Sequence, residues 1–116
     1  MQCFVNFSNH PSTQWSDAQL AAARRFGKVL DLPFPSVPPT LDERSVLSLA
    51  EQYVDKILQL NPTAVMCQGE FSLCFAVTRL LQRKEVAVLC ACSERVENKS
   101  EFVFVRFRNY MSGEGK

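Results

Sequence analysis

Apolar residues fall along this chain in two rhythms, and the alternation between them predicts its elements. Continuous or every-second runs suit strands, whereas spacings of three and four suit helices. Gln2 to Phe7 (QCFVNF) is aromatic and β-branched and ends at the polar cluster Ser8-Asn9-His10-Pro11-Ser12, which predicts a strand followed by a loop. Ser16-Asp17-Ala18-Gln19 then has the form of a capping box, Leu20, Ala23 and Phe26 share one helical face, and Gly27 stands where a helix should stop. Lys28 to Leu32 predicts a brief strand of mixed polarity, suited to a sheet edge. Four prolines between Pro33 and Pro39 forbid regular structure there, so this stiff connection either covers something or serves as a surface spacer.

Thr40-Leu41-Asp42-Glu43 is a second capping box, and Val46, Leu49, Ala50, Tyr53, Ile57 and Leu60 follow at helical spacing until Asn61-Pro62. Ala64 to Gln68 predicts a buried third strand. Phe71 to Arg83 predicts a third helix, apolar almost all round in its first half and therefore central. Val86 to Cys92 predicts a fourth strand, ended by Ser93-Glu94-Arg95, and the alternation from Glu101 to Arg108 predicts a fifth. Too few residues separate the last two strands for a crossover helix, so they should pair antiparallel.

This β-α-β-α-β-α-β-β order calls for a three-layer, Rossmann-like α/β sandwich with a mainly parallel five-stranded sheet. Right-handed crossovers and the need to cover both faces favour the strand order 2-1-3-4-5, with strand five antiparallel at an edge. One domain is expected over residues 1–110 and a flexible polar tail over 111–116.

In that order the chain changes direction between strands one and three, and ligands of open α/β sheets bind outside the carboxyl ends of the strands at such a point. Three polar segments end there: Ser8 to Ser12, Gln68 to Ser72, and Ser93 to Arg95. The Gln68-Gly69-Glu70-Phe71-Ser72 junction runs from strand to helix, so its amides and the helix dipole suit an anion, although a Gly at such a turn also serves simply to make the turn tight. Gln68 and Asn9 suit amide or base edges, Arg95 suits charge neutralisation, and His10 suits proton transfer or, equally, a backbone-bonded place in its loop.

Composition narrows the chemistry. Thirteen basic against twelve acidic residues give a net charge of +1, which argues against a duplex-binding surface. There are no paired catalytic carboxylates, no GxSxG elbow, no P-loop lysine and no extended Gly fingerprint, so glycosidase, hydrolase, NTPase and dinucleotide readings lose ground. Five cysteines without a CxxC, beside a single His, read as reduced core thiols of a cytosolic protein rather than a metal site, and no cofactor is expected. No run of 18 apolar residues and no signal pattern are found, so neither membrane insertion nor secretion is expected and the cytoplasm is the expected location.

Phe4-Val5-Asn6-Phe7-Ser8-Asn9-His10-Pro11, Gln68-Gly69-Glu70-Phe71, Cys92-Ser93-Glu94-Arg95 and the ending Val105-Arg106-Phe107-Arg108-Asn109-Tyr110 resemble the small stand-alone CRISPR-associated proteins of the Csx type, relatives of the CARF (CRISPR-associated Rossmann fold) domains. The resemblance implies a homodimer, or higher homo-oligomer, that binds cyclic oligoadenylate, cyclic tetra-adenylate foremost, between its switch-point surfaces. It also implies metal-independent ring cleavage, in which a ribose 2′-OH attacks the neighbouring phosphate and leaves a 2′,3′-cyclic phosphate. Carried onto this chain, it implies His10, Arg95 and Ser8 as the catalytic set and Asn9, Gln68, Gly69, Glu70, Phe71, Ser72, Ser93 and Glu94 as ligand contacts. Glu70 also suits the cap of its helix. The alternatives are a non-catalytic sensor or sponge for the same messenger, and a protein-interaction module built on the Pro-rich loop and the last strand.

Overall fold

A computed structural model describes residues 2–97 and 101–112. Five strands form one sheet: β1 (Cys3–Ser8), β2 (Lys28–Pro33), β3 (Ala64–Cys67), β4 (Ala87–Arg95) and β5 (Phe102–Asn109). Three α-helices connect them: α1 (Asp17–Arg24), α2 (Glu43–Gln59) and α3 (Phe71–Arg83). The strand order is β2-β1-β3-β4-β5, parallel throughout except for the antiparallel pair of β4 and β5. The expected architecture is therefore the observed one, a Rossmann-like α/β sandwich.

Burial explains why the central strands lack alternation. All six residues of β1 and all four of β3 are buried, because helices lie on both faces. Phe7, Val65 and Cys67 pack with Val46, Ala50, Val54 and Ile57 of α2 and Leu73, Val77 and Leu81 of α3. On the opposite face Phe4, Ala64, Met66 and Leu89 pack with Ala23 of α1, partly covered by Trp15, Phe26 and Phe107. Phe4 and Phe7 are fully buried on opposite faces of one strand, and each such ring contributes roughly 1.5–3 kcal/mol of apolar burial.

Local chemistry fixes the helix ends. The Ser16 hydroxyl accepts from Gln19 N at 3.2 Å, as its capping box predicts. The second capping box is displaced: Asp42, not Thr40, caps α2, accepting from Ser45 N at 2.9 Å. Leu41 N instead bonds to Pro38 O at 3.1 Å, so the end of the Pro-rich stretch is a turn that delays the helix.

Three further expectations are corrected. Ser93, Glu94 and Arg95 do not end β4 but continue it, paired with Phe104, Val103 and Phe102. A bulge between Cys92 and Ser93 breaks the clean alternation of β5 and turns both Phe104 and Phe107 to one side, their rings 5.0 Å apart. The first half of α3 is not buried all round, because Phe71 and Phe75 face outward, 91% and 69% exposed. Between β1 and α1 the loop contains a short 3-10 turn, Ser12–Gln14. The Pro-rich loop does cover something: Phe34 is buried, with its ring 4.7 Å from that of Phe7. Residues 113–116 of the expected tail lie outside the described residues. Among the described residues no helix is long and apolar enough to cross a membrane.

Gly27 sets the passage from α1 into β2. Its φ of 140° is accessible to glycine, and a Cβ there would meet Gln2 C and O at 2.5 Å. Gly27→Ala is expected to lower unfolding stability by roughly 1–3 kcal/mol, measured by urea denaturation with unchanged circular dichroism before the transition. A variant as stable as the parent would mean that the turn relaxes freely.

Candidate functional site

A cavity of about 670 Å³ opens beside the carboxyl ends of β1, β3 and β4, on the side of the sheet that carries α1. This is a size and place typical of small-molecule sites in open α/β sheets. His10 from the loop after β1, Gln68 from the end of β3 and Ser93 from β4 all line it. Gln14, Trp15, Ser16 and Gln19 close one side, and Phe102, Val103 and Phe104 of β5 the other, over a floor of Met66 and Ala91. One residue from each of the three expected polar segments thus reaches a single concavity.

His10 is held by its backbone. Its carbonyl accepts from Asn6 Nδ2 at 2.9 Å and from Trp15 Nε1 at 3.0 Å, and its N–H donates to Ser8 Oγ at 3.2 Å. Ser8 Oγ in turn donates to Asn6 Oδ1 at 2.6 Å, and Asn6 Nδ2 also donates to Asp31 Oδ1 at 3.0 Å. Asp31 accepts further from Ser12, from its N–H at 3.2 Å and its hydroxyl at 3.1 Å. Asn6, 1% exposed in the middle of an apolar strand, therefore has a partner for each of its polar atoms. The network fixes the His10 main chain and leaves the residue exposed at the cavity.

Ser8 is buried inside this network, so it positions His10 rather than facing the cavity. Asn9 is exposed and lies outside the cavity lining. Gln68 Oε1 accepts from Ala91 N, which ties the end of β3 to β4 and leaves the Gln68 Nε2 hydrogens as the donors turned to other use. Arg95 and Glu94 pair with Phe102 and Val103 at the far end of β4, next to two lining residues.

Gly69 to Ser72 stand apart from this cavity. A Cβ on Gly69 would lie 2.6 Å from the Phe34 ring, so its missing side chain admits Phe34 rather than a ligand. The Glu70 carboxylate occupies the head of α3, accepting from Leu73 N at 2.8 Å and from Ser72 Oγ at 2.7 Å. Those two bonds, the Leu73 amide first, hold its pKa below the usual glutamate value. The phosphate cradle expected there is filled by the chain's own carboxylate. Ser72 borders a separate cleft with Leu41, Val46 and Leu47, and Phe71 projects into solvent. Among the described residues no group of three His, Cys, Asp or Glu side chains is placed to hold a metal ion.

Sequence reasoning missed Asn6, Asp31, Trp15, Gln14 and Gln19. Asn6 had a signal, a lone amide in an otherwise apolar strand. The others did not, because only the fold brings them to the cavity.

Two outcomes follow from these contacts. Asn6→Ala removes three side-chain bonds, among them the acceptor 2.6 Å from the Ser8 hydroxyl, so a loss of roughly 2–4 kcal/mol is expected in urea unfolding, with altered Trp15 emission in the folded state; an unchanged midpoint would show the network to be dispensable. Glu70 has a lowered folded-state pKa, so the stability it contributes is present above the ordinary glutamate value and is lost as pH falls through the lowered one. The gap in denaturation midpoint between the parent and Glu70→Gln should therefore be open at neutral pH and close on acidification, whereas a gap independent of pH would separate the cap from its charge.

No curated protein matches the chain. Residues 2–108 match the model of the uncharacterized protein MJ1673 family, and the chain belongs to that family.

Proposed function

We propose that this member of the MJ1673 family binds a cyclic oligoadenylate, cyclic tetra-adenylate foremost, and cleaves it without a metal. The observation that carries the proposal is the convergence of His10, Gln68 and Ser93 on one cavity at the switch point. The lining chemistry suits an adenine. Trp15, Phe102 and Phe104 offer π faces for stacking, and Gln14, Gln19, Gln68 and Ser93 offer amide and hydroxyl partners for the edge of a base. Among the described residues the lining holds no Lys or Arg, so the phosphates belong at the rim, where Arg95 leaves β4.

Cleavage needs little beyond geometry. A ribose 2′-OH attacks the adjacent phosphorus in line, the bond to the 5′ oxygen of the next nucleotide breaks, and a 2′,3′-cyclic phosphate and a 5′-OH result. His10 takes the 2′ proton, a solvent proton completes the departing 5′-OH, Arg95 offsets the charge that grows on the phosphorane, and Ser8 with Asn6 keeps the His10 main chain in place. The assembly we propose is a homodimer sharing one ring. Phe102, Val103 and Val105 of the edge strand β5 are 68%, 47% and 54% exposed, an apolar border continuous with the cavity that a second copy can cover.

Incubation of the purified chain in EDTA with cyclic tetra- and hexa-adenylate, followed by separation of the products, tests this directly. Linear products ending in 2′,3′-cyclic phosphate are expected, at one ring bound per two chains. His10→Ala should slow cleavage by about 10²–10⁴-fold with affinity little changed. Phe102→Ala should weaken binding by roughly 10- to 100-fold without loss of stability, since its ring is largely in solvent. Intact rings bound tightly would indicate a sensor or sponge, and no binding of either ring would overturn the proposal.

A further inference from the structure

On the opposite face of the sheet from the cavity, two thiols that nothing above employs lie against each other. Cys67 ends β3 and Cys74 sits in the first turn of α3, with their sulfurs 3.5 Å apart. The Cys74 thiol donates to Cys67 O at 3.3 Å, and Tyr110 Oη donates to the same carbonyl at 2.8 Å while standing 3.7 Å from Cys74 Sγ. We propose that Cys67 and Cys74 form a peroxide-sensitive pair, in which Cys74 is oxidised first and Cys67 then closes a disulfide between β3 and α3.

The two sulfurs are unequal in ways that assign the order. Cys74 reaches the surface with 9% of its area, whereas Cys67 is completely enclosed. The Cys74 thiol is also lowered to about 6, first by the hydrogen bond with Cys67, with Tyr110 adding to it against the opposing effect of burial. The Cys67 thiol is pushed up, first by that same bond to Cys74 and then by burial, so it keeps its proton. Cys74, the partner nearer the surface, is thus the one peroxide meets first, reacting once its thiol loses the proton it gives to Cys67 O, and the enclosed Cys67 is the resolving thiol.

The chemistry balances with hydrogen peroxide as the oxidant. The Cys74 thiolate attacks one peroxide oxygen, the O–O bond breaks, hydroxide leaves and a sulfenic acid remains. The Cys67 sulfur then attacks the Cys74 sulfur, an S–S bond forms, the S–O bond breaks, and the departing hydroxide takes the Cys67 proton to leave as water. The approach required is about 1.5 Å, from van der Waals contact to the ~2.05 Å of a disulfide. Only six residues separate the two cysteines in sequence, so the bond would fasten the Gln68 to Leu73 turn.

The remaining cysteines serve as internal controls. Cys3 stands at the amino end of β1 and donates to Leu60 O at 3.2 Å, and Cys90, on β4, has its thiol pushed up chiefly by burial. Peptide mapping discriminates among the five. The reduced full chain is treated with a few equivalents of hydrogen peroxide, blocked with N-ethylmaleimide in urea and digested with trypsin, which releases Cys67 and Cys74 together in Ile57–Arg79. That peptide is expected to lose two hydrogens and to refuse the maleimide, while Cys3, Cys90 and Cys92 remain alkylated. In Cys67→Ala, dimedone should trap a sulfenic acid on Cys74. If that variant fails to fold, the map of the parent chain decides alone. Oxidation of Cys90 or Cys92 ahead of an intact Cys67 and Cys74, or separate sulfinic acids on the pair in place of a disulfide, would overturn the proposal.

Discussion

The side-chain amide of Asn6 is the contact on which the site depends. It lies at the centre of β1, the strand with neighbours on both sides and helices on both faces, where an unpaired polar group would cost roughly 1–3 kcal/mol. Satisfying it dictates what surrounds it. Asp31 must stand opposite on β2, and the register pairs these two residues. Ser8 must turn inward and the chain after β1 must fold back so that His10 O meets Nδ2. One buried amide therefore fixes a strand register, a loop and the main chain of the histidine at the cavity mouth.

The two faces of the sheet divide the labour. On the α2 and α3 side, Phe34 comes over the carboxyl end of β1, packs on Phe7 and uses the open Cα of Gly69, which fills the space beside that turn. On the α1 side the helix is short and its amino end stops beside the sheet edge, so Ser16 and Gln19 border open space. Ala91 and Ser93, two apart in β4, both turn toward that space, and the bulge opposite them brings Phe104 of β5 to its border. At the carboxyl ends of β1 and β3 the cavity therefore opens on the α1 face, while Phe34 fills the corresponding place on the other.

The fold was legible in the sequence where local pattern and burial agree. Phe71 to Arg83 is a helix with those bounds, and the short β4 to β5 connection forced an antiparallel pair. Errors arose where a distant residue decides. Ser93 to Arg95 looked like a loop because their polarity suits solvent, yet pairing with Phe102 to Phe104 satisfies their backbone and keeps them in the strand. Gly69 looked like an anion cradle because Phe34, 35 residues earlier, could not be known to occupy the space. Ser8 is a different case: the amide that draws its hydroxyl inward is only two residues away, but the polar run from Ser8 to Ser12 reads as a solvated loop. The strand ends that meet were foreseeable from topology, but the side chain each presents was not.

Charge decides how a ribose-phosphate ring would sit here. The head of α3, which would otherwise favour an anion, already carries the Glu70 carboxylate on Leu73 N, and a second anion would meet like charge. The cavity itself is bounded by aromatic rings, amides and hydroxyls. Phosphate gains little from neutral donors that water does not also offer, whereas a purine gains both stacking area and edge-specific bonds. Selectivity would therefore reside in the base, held between Trp15 and the β5 rings. The backbone of the ring would stay at the rim, beside the imidazole of His10, to which the proposed function gives the 2′ proton.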